Sequence, residues 1–72
     1  MNRFYNAIDE LCVEKGITHR RLAEQIGVNE VTLSRYLRGE RKMQLAPFMA
    51  MCKVFNVPAE ELYKTYVYAN LE

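Results

Sequence analysis

The chain has 72 residues, half of them hydrophobic and 26% charged, with a formal net charge of +1. That length is one domain's worth, near the lower size at which a single apolar core sustains itself, and the composition is too apolar for a disordered chain. Apolar runs extend only a few residues and residues 1–4 start no signal peptide, so neither a membrane span nor secretion is expected and the protein reads as cytoplasmic.

The first predicted helix runs from Arg3 to Lys15, with Asn2 as N-cap and Gly16 as the left-handed residue beyond its end. Phe4, Ile8, Leu11 and Cys12 recur at helical spacing and mark its buried face, while Asp9, Glu10 and Glu14 take the outer side. Thr18 caps a second helix whose inward residues are Leu22, Ala23 and Ile26. Gly27 ends it, and Val28 is the apolar residue expected to pin the turn against the core. Asn29 then caps a third helix over residues 30–37, with Gly39 beyond its end and Leu33, Tyr36 and Leu37 facing inward. On its opposite side stand Glu30, Val31, Ser34, Arg35 and Arg38, a polar strip that no core accommodates. Two such short helices joined through Gly-Val-Asn have no room to pack antiparallel, which is the geometry of a helix-turn-helix.

A loop over residues 40–43 adds Arg41 and Lys42. The fourth helix is expected to begin near Leu45 behind Gln44, a mediocre N-cap, with Pro47 in its first turn. Leu45, Phe48, Met49, Cys52 and Phe55 form its predicted core stripe, and Asn56 closes it. Pro58 opens a fifth helix, where Glu60 and Glu61 suit the positive end of the helix dipole. After Leu62, the residues Tyr63, Tyr66, Val67, Tyr68, Ala69 and Leu71 cover most of the helix circumference, more apolar surface than one contact hides. Residues 1–72 therefore read as a single all-α domain, with 63–72 as a dimerisation tail whose interface residues are Tyr63, Tyr66, Val67 and Tyr68. A tail folded back over the first helix is the alternative.

Catalysis and cofactors find little support. Cys12 and Cys52 belong to no C-x-x-C pair, and with His19 the single histidine, a tetrahedral zinc site lacks ligands. Two buried thiols in a reducing compartment are the expected reading. No acid is placed by the sequence to form a dyad with a cysteine or His19, and no Gly-rich phosphate loop is present, so no enzyme, cofactor, metal or small-molecule ligand is expected.

Charge, by contrast, is unevenly spread. Between residues 18 and 42 lie six basic side chains (Arg20, Arg21, Arg35, Arg38, Arg41, Lys42) against three acids, a local +3, whereas the remainder carries four bases against six acids, a local −2. A polyanion partner suits the basic part.

The stretches K-G-I-T, L-A-E-Q-I-G-V, L-S-R-Y-L-R-G-E-R-K and F-N-V-P-A-E-E-L carry a resemblance, spanning about residues 8–62, to the lambda-repressor-like (Cro/Xre type) helix-turn-helix family. The resemblance implies a compact five-helix DNA-binding domain, with the helix-turn-helix at helices 2 and 3, that binds double-stranded operator DNA, commonly as a symmetric dimer. On that likeness the base-reading positions fall on Glu30, Val31, Ser34 and Arg35. The phosphate anchor at the start of the second helix falls on His19, where many members have Gln, beside Thr18 and Arg20. Thr32, Arg38, Arg41 and Lys42 fall where backbone contacts are usual. Many members also carry an Arg on the first helix paired with a Glu near the end of the third; here those positions are Cys12 and Leu37. Replacing both partners exchanges an ion pair for apolar packing, which is tolerated far better than losing one.

The expected chemistry divides by contact type. Cations on phosphates release counterions and supply affinity, whereas side chains on base edges supply sequence preference. Arg35 suits the O6 and N7 atoms of guanine, Val31 the thymine methyl, and Glu30 the cytosine amine, unless Glu30 only favours the helix dipole. The expected function is thus sequence-specific regulation of transcription, with repression as the mode because little chain remains for a second activity. An antitoxin, a restriction-modification controller, or a protein-docking module on the same fold are the alternatives.

Overall fold

The computed structural model describes residues 2–71, and side chains over residues 2–69. The described residues form five helices, α1 (Arg3–Lys15), α2 (His19–Ile26), α3 (Glu30–Arg38), α4 (Leu45–Phe55) and α5 (Ala59–Leu71). The fold is all-helical, as the periodicity predicts, and α3 runs one residue further than expected, to Arg38.

Local chemistry explains where the helices begin and end. The side chains of Asn2, Thr18 and Asn29 accept hydrogen bonds from the amides of Tyr5, Arg21 and Thr32, each satisfying a first-turn donor. Gln44 makes no such bond ahead of α4. The first four helices each end on a residue in the left-handed region: Gly16, Gly27, Gly39 and Asn56. The amide two residues beyond each last helical residue reaches back into the final turn, as Val28 N–H does to the Ala23 carbonyl at 3.0 Å. This is a Schellman closure, which places an apolar side chain against the last turn. Ile17, Val28 and Val57 occupy that place after α1, α2 and α4 and pack on the core. After α3 the same place is taken by the polar Glu40, where the chain leaves for its exposed loop.

The core gathers Phe4, Ile8 and Cys12 from α1, Leu22, Ala23 and Ile26 from α2, Leu33 and Leu37 from α3, Phe48, Met51 and Cys52 from α4, and Leu62 and Ala69 from α5. α2 packs on α4, α1 packs on α5, and α3 rests on α1 and α2. That order leaves the outer side of α3 uncovered. Cys12 and Leu37 are both buried in this one cluster. Burial pushes both thiols up from their ordinary range, and at Cys12 the carboxylate of Asp9 adds to the effect.

One expectation needs correction. The α4 stripe was predicted on Leu45, Phe48, Met49, Cys52 and Phe55. In the structure Leu45 and Met49 are 74% and 47% exposed, while Met51, outside that stripe, is fully buried alongside Pro47, Phe48 and Cys52. α4 is apolar on nearly every side, so spacing alone cannot choose its phase; packing against α2 does.

On α5, Tyr66 faces inward. Its ring packs edge-on against Phe4 at 5.0 Å, and its hydroxyl accepts the Met43 amide at 2.9 Å. Tyr66 therefore serves its own core and anchors the loop between α3 and α4. Tyr63 and Tyr68 stay more than half exposed and Val67 is half-buried. The side chain of Leu71, and Glu72 at the end of the expected tail, lie outside the described residues. No helix among those residues is long and apolar enough to cross a membrane.

Candidate nucleic-acid interface

The helix-turn-helix is built by α2 and α3 and the three residues between them. Gly27 holds φ at +80°, a conformation that costs any L side chain about 1–2 kcal/mol, and this reversal brings Asn29 into position to cap α3. Leu33, Tyr36 and Leu37 bury one side of α3, so helical geometry turns Glu30, Val31, Ser34, Arg35 and Arg38 outward. Val31 is 61% exposed, an aliphatic side chain displayed rather than packed.

These five residues line one open depression together with His19 at the start of α2, Tyr5 on α1 and Glu40 beyond α3. The structure thus brings together all four predicted base-reading residues, and with them His19 and Arg38. Thr18, Arg20, Thr32, Arg41 and Lys42 do not line the depression. Thr18 spends its hydroxyl oxygen on the Arg21 amide, at 3.1 Å, and Thr32 is half-buried with its amide on Asn29. Arg20 lies 3.9 Å from Glu24, and Arg41 sits over the Tyr36 ring at 5.8 Å.

Sequence reasoning missed Tyr5 and Glu40. Tyr5 lies off the apolar stripe of α1, and nothing in one helix's periodicity reports which neighbour its flank will meet. His19 is also differently engaged than expected. Its Nε2 lies 3.0 Å from the Asp9 carboxylate, and its ring meets the Tyr5 ring edge-on at 5.7 Å.

The electrostatics of the depression are mixed. Arg38 pairs loosely with Glu40 at 3.9 Å, whereas Arg35 and Glu30 make no ion pair among the described residues. Both members of the Arg38–Glu40 and Arg20–Glu24 pairs are more than half exposed. Such pairs contribute only about 0–1 kcal/mol, so a phosphate or a base edge can displace the carboxylate at little cost. A guanidinium without a competing partner, on an exposed helix face of major-groove dimensions, is suited to bidentate contact with a guanine edge.

Among the described residues no group of three or more His, Cys, Asp and Glu side chains is arranged to hold a metal ion. No curated protein matches the chain in sequence. A family profile described as the Cro/C1-type HTH DNA-binding domain matches residues 7–66, which covers α2, α3 and α4 entire and most of α1 and α5. The exposed polar face of α3, the turn at Gly27 and this match over most of the chain agree, and the protein belongs to the Cro/C1-type helix-turn-helix family of DNA-binding domains.

Proposed function

We propose that this DNA-binding protein is a sequence-specific transcriptional repressor that binds a palindromic operator as a homodimer, with α3 in the major groove. The observation that carries the reading is the gathering of Glu30, Val31, Ser34 and Arg35 in one depression on the exposed side of α3. In this reading Arg35 reads guanine, Val31 meets a thymine methyl, Ser34 accepts or donates at a base edge, and Glu30 accepts from a cytosine amine. His19, Arg20, Thr18, Thr32, Arg38, Arg41 and Lys42 hold the sugar-phosphate backbone around them.

The two carboxylates in the depression, Glu30 and Glu40, support specificity over raw affinity. Each repels a misplaced phosphate, so nonspecific seating of α3 is penalised while a cognate base edge is not. Repression needs nothing beyond occupancy, because a domain in the groove obstructs any other protein that requires the same base pairs.

Dimerisation is supported by size and by exposed apolar surface. The molecule measures 28 × 24 × 22 Å, and one copy covers too little DNA for tight specific binding. In such a dimer the two α3 helices would enter successive major grooves one DNA turn apart, about 34 Å. Tyr63 and Tyr68 on α5 remain exposed for such an interface, and Leu45 and Met49 extend the apolar surface beside Tyr63.

Selection of bound duplexes from a random pool tests the proposal. A palindromic consensus is expected, and Arg35→Ala should relax preference at one position per half-site while largely preserving nonspecific binding. Equal loss on all sequences would remove Arg35 as a base reader. Affinity for duplex DNA should also fall steeply with salt; a flat dependence would mark the depression as a protein-docking face instead.

A further inference from the structure

We infer that Tyr5 is a DNA contact, donating its phenol hydroxyl to a backbone phosphate at the edge of the α3 depression. The inference rests on the reading of that depression as the DNA-facing surface. It concerns a residue on α1 outside the 7–66 span of the family match.

Three observations converge on it. Tyr5 is half-buried and lines the same depression as Glu30, Val31, Ser34, Arg35 and Arg38. Its ring is held in place: it meets the His19 ring at 5.7 Å and 68°, and His19 is in turn fixed at 3.0 Å to Asp9. Asp9 lies one helical turn after Tyr5, so α1 grips the imidazole from two successive turns. The Tyr5 hydroxyl, finally, has no hydrogen-bond partner among the described residues, in contrast to the Tyr66 hydroxyl, which receives the Met43 amide.

A phosphate is the contact that fits this position. Tyr5 stands beside His19 at the start of α2, where first-turn amides already favour an anion. The base-reading positions belong to α3, and α1 forms the wall. The Nε2 atom of His19 is taken up by Asp9, so only Nδ1 of that ring is left for a phosphate, and the Tyr5 hydroxyl adds a second donor beside it. A phenol needs no charge to donate to a phosphate oxygen, and a ring already immobilised loses little entropy in doing so.

The conservative variant Tyr5→Phe keeps the ring against His19 and removes only the hydroxyl. Its affinity should be compared with that of the unaltered protein for a duplex recovered from the random pool and for one of mixed sequence, both about two helical turns long. A loss of about ten-fold or more is expected on both duplexes, the size of one hydrogen bond to a charged acceptor. The slope of log affinity against log salt should not change, because a neutral donor displaces no counterion; Lys42→Ala should lower that slope by about 1. Replacing single phosphates by methylphosphonate should weaken the unaltered protein at one position where Tyr5→Phe is indifferent. Unchanged affinity of Tyr5→Phe, with Arg35→Ala still altering base preference, overturns the contact and leaves the DNA face in place. If neither variant affects DNA binding, the DNA face itself has been misassigned. A drop in affinity accompanied by a lowered melting temperature would make Tyr5 a packing residue and would likewise overturn the contact.

Discussion

The side chain of Asn2 ties the beginning of α1 to the end of α3: its Oδ1 accepts the Tyr5 amide at 2.7 Å while its Nδ2 donates to the Leu37 carbonyl at 2.9 Å. One amide group thus satisfies an orphan donor of one helix and a last-turn carbonyl of another. Because α3 is the helix that carries the exposed polar face, its far end is held by a residue 35 positions away in sequence. Asn2→Ala removes both bonds and should destabilise the fold by about 1–2 kcal/mol in urea denaturation. Asn2→Asp retains the cap but replaces the donor by a carboxylate at the negative end of the α3 dipole, and should recover little of that loss. If Asn2→Asp matched the unaltered protein, the bond to Leu37 would contribute nothing.

Gly27 is a second place where backbone geometry orients α3. An added Cβ would meet nothing within 4 Å, so the cost of substitution is conformational and comes from φ of +80° alone. Gly27→Ala should lower stability by about 1–2 kcal/mol, and Gly27→Asn by less, since Asn tolerates the left-handed region. Equal stability of all three in chemical denaturation would show that the turn relaxes to another conformation.

At the other end of the molecule the tyrosines separate by role. Tyr63→Asp combined with Tyr68→Asp alters exposed positions and should shift a dimer toward monomer in sedimentation with the melting temperature nearly unchanged. Tyr66→Phe leaves the Met43 amide without its acceptor and should cost about 1 kcal/mol of stability without affecting mass. An unchanged mass for the double Asp variant would exclude α5 as the interface.

Leu37 is fully buried in the cluster that also contains Cys12. Leu37→Glu alone should destabilise the domain by about 3 kcal/mol or more, because it buries a carboxylate without a partner. Adding Cys12→Arg should return part of the loss by supplying that partner. Strict additivity of the two substitutions in a double-mutant cycle would show that the sites do not communicate.

Much of this architecture is decided by short-range chemistry, and that part is legible in the sequence. Asn2, Thr18 and Asn29 accept first-turn amides, and Gly16, Gly27, Gly39 and Asn56 take the left-handed region, so the boundaries of the helices follow from residues within one turn of each end. The outward strip of α3 is equally local, since Leu33, Tyr36 and Leu37 can be buried only if Glu30, Val31, Ser34 and Arg35 are not. What tertiary structure alone decided are the relations between surfaces that no single helix's period encodes. The phase of α4 is one, where an all-round apolar helix turned Met51 inward and left Leu45 and Met49 outside. The inward use of Tyr66 is another, because its partners Phe4 and Met43 come from distant parts of the chain. The third is the wall of the depression beside α3, where Tyr5 and Asp9 of α1 meet His19 of α2. Hydrogen-bonded caps act over a few residues and so appear in sequence, whereas side-chain packing between helices depends on how the whole core closes.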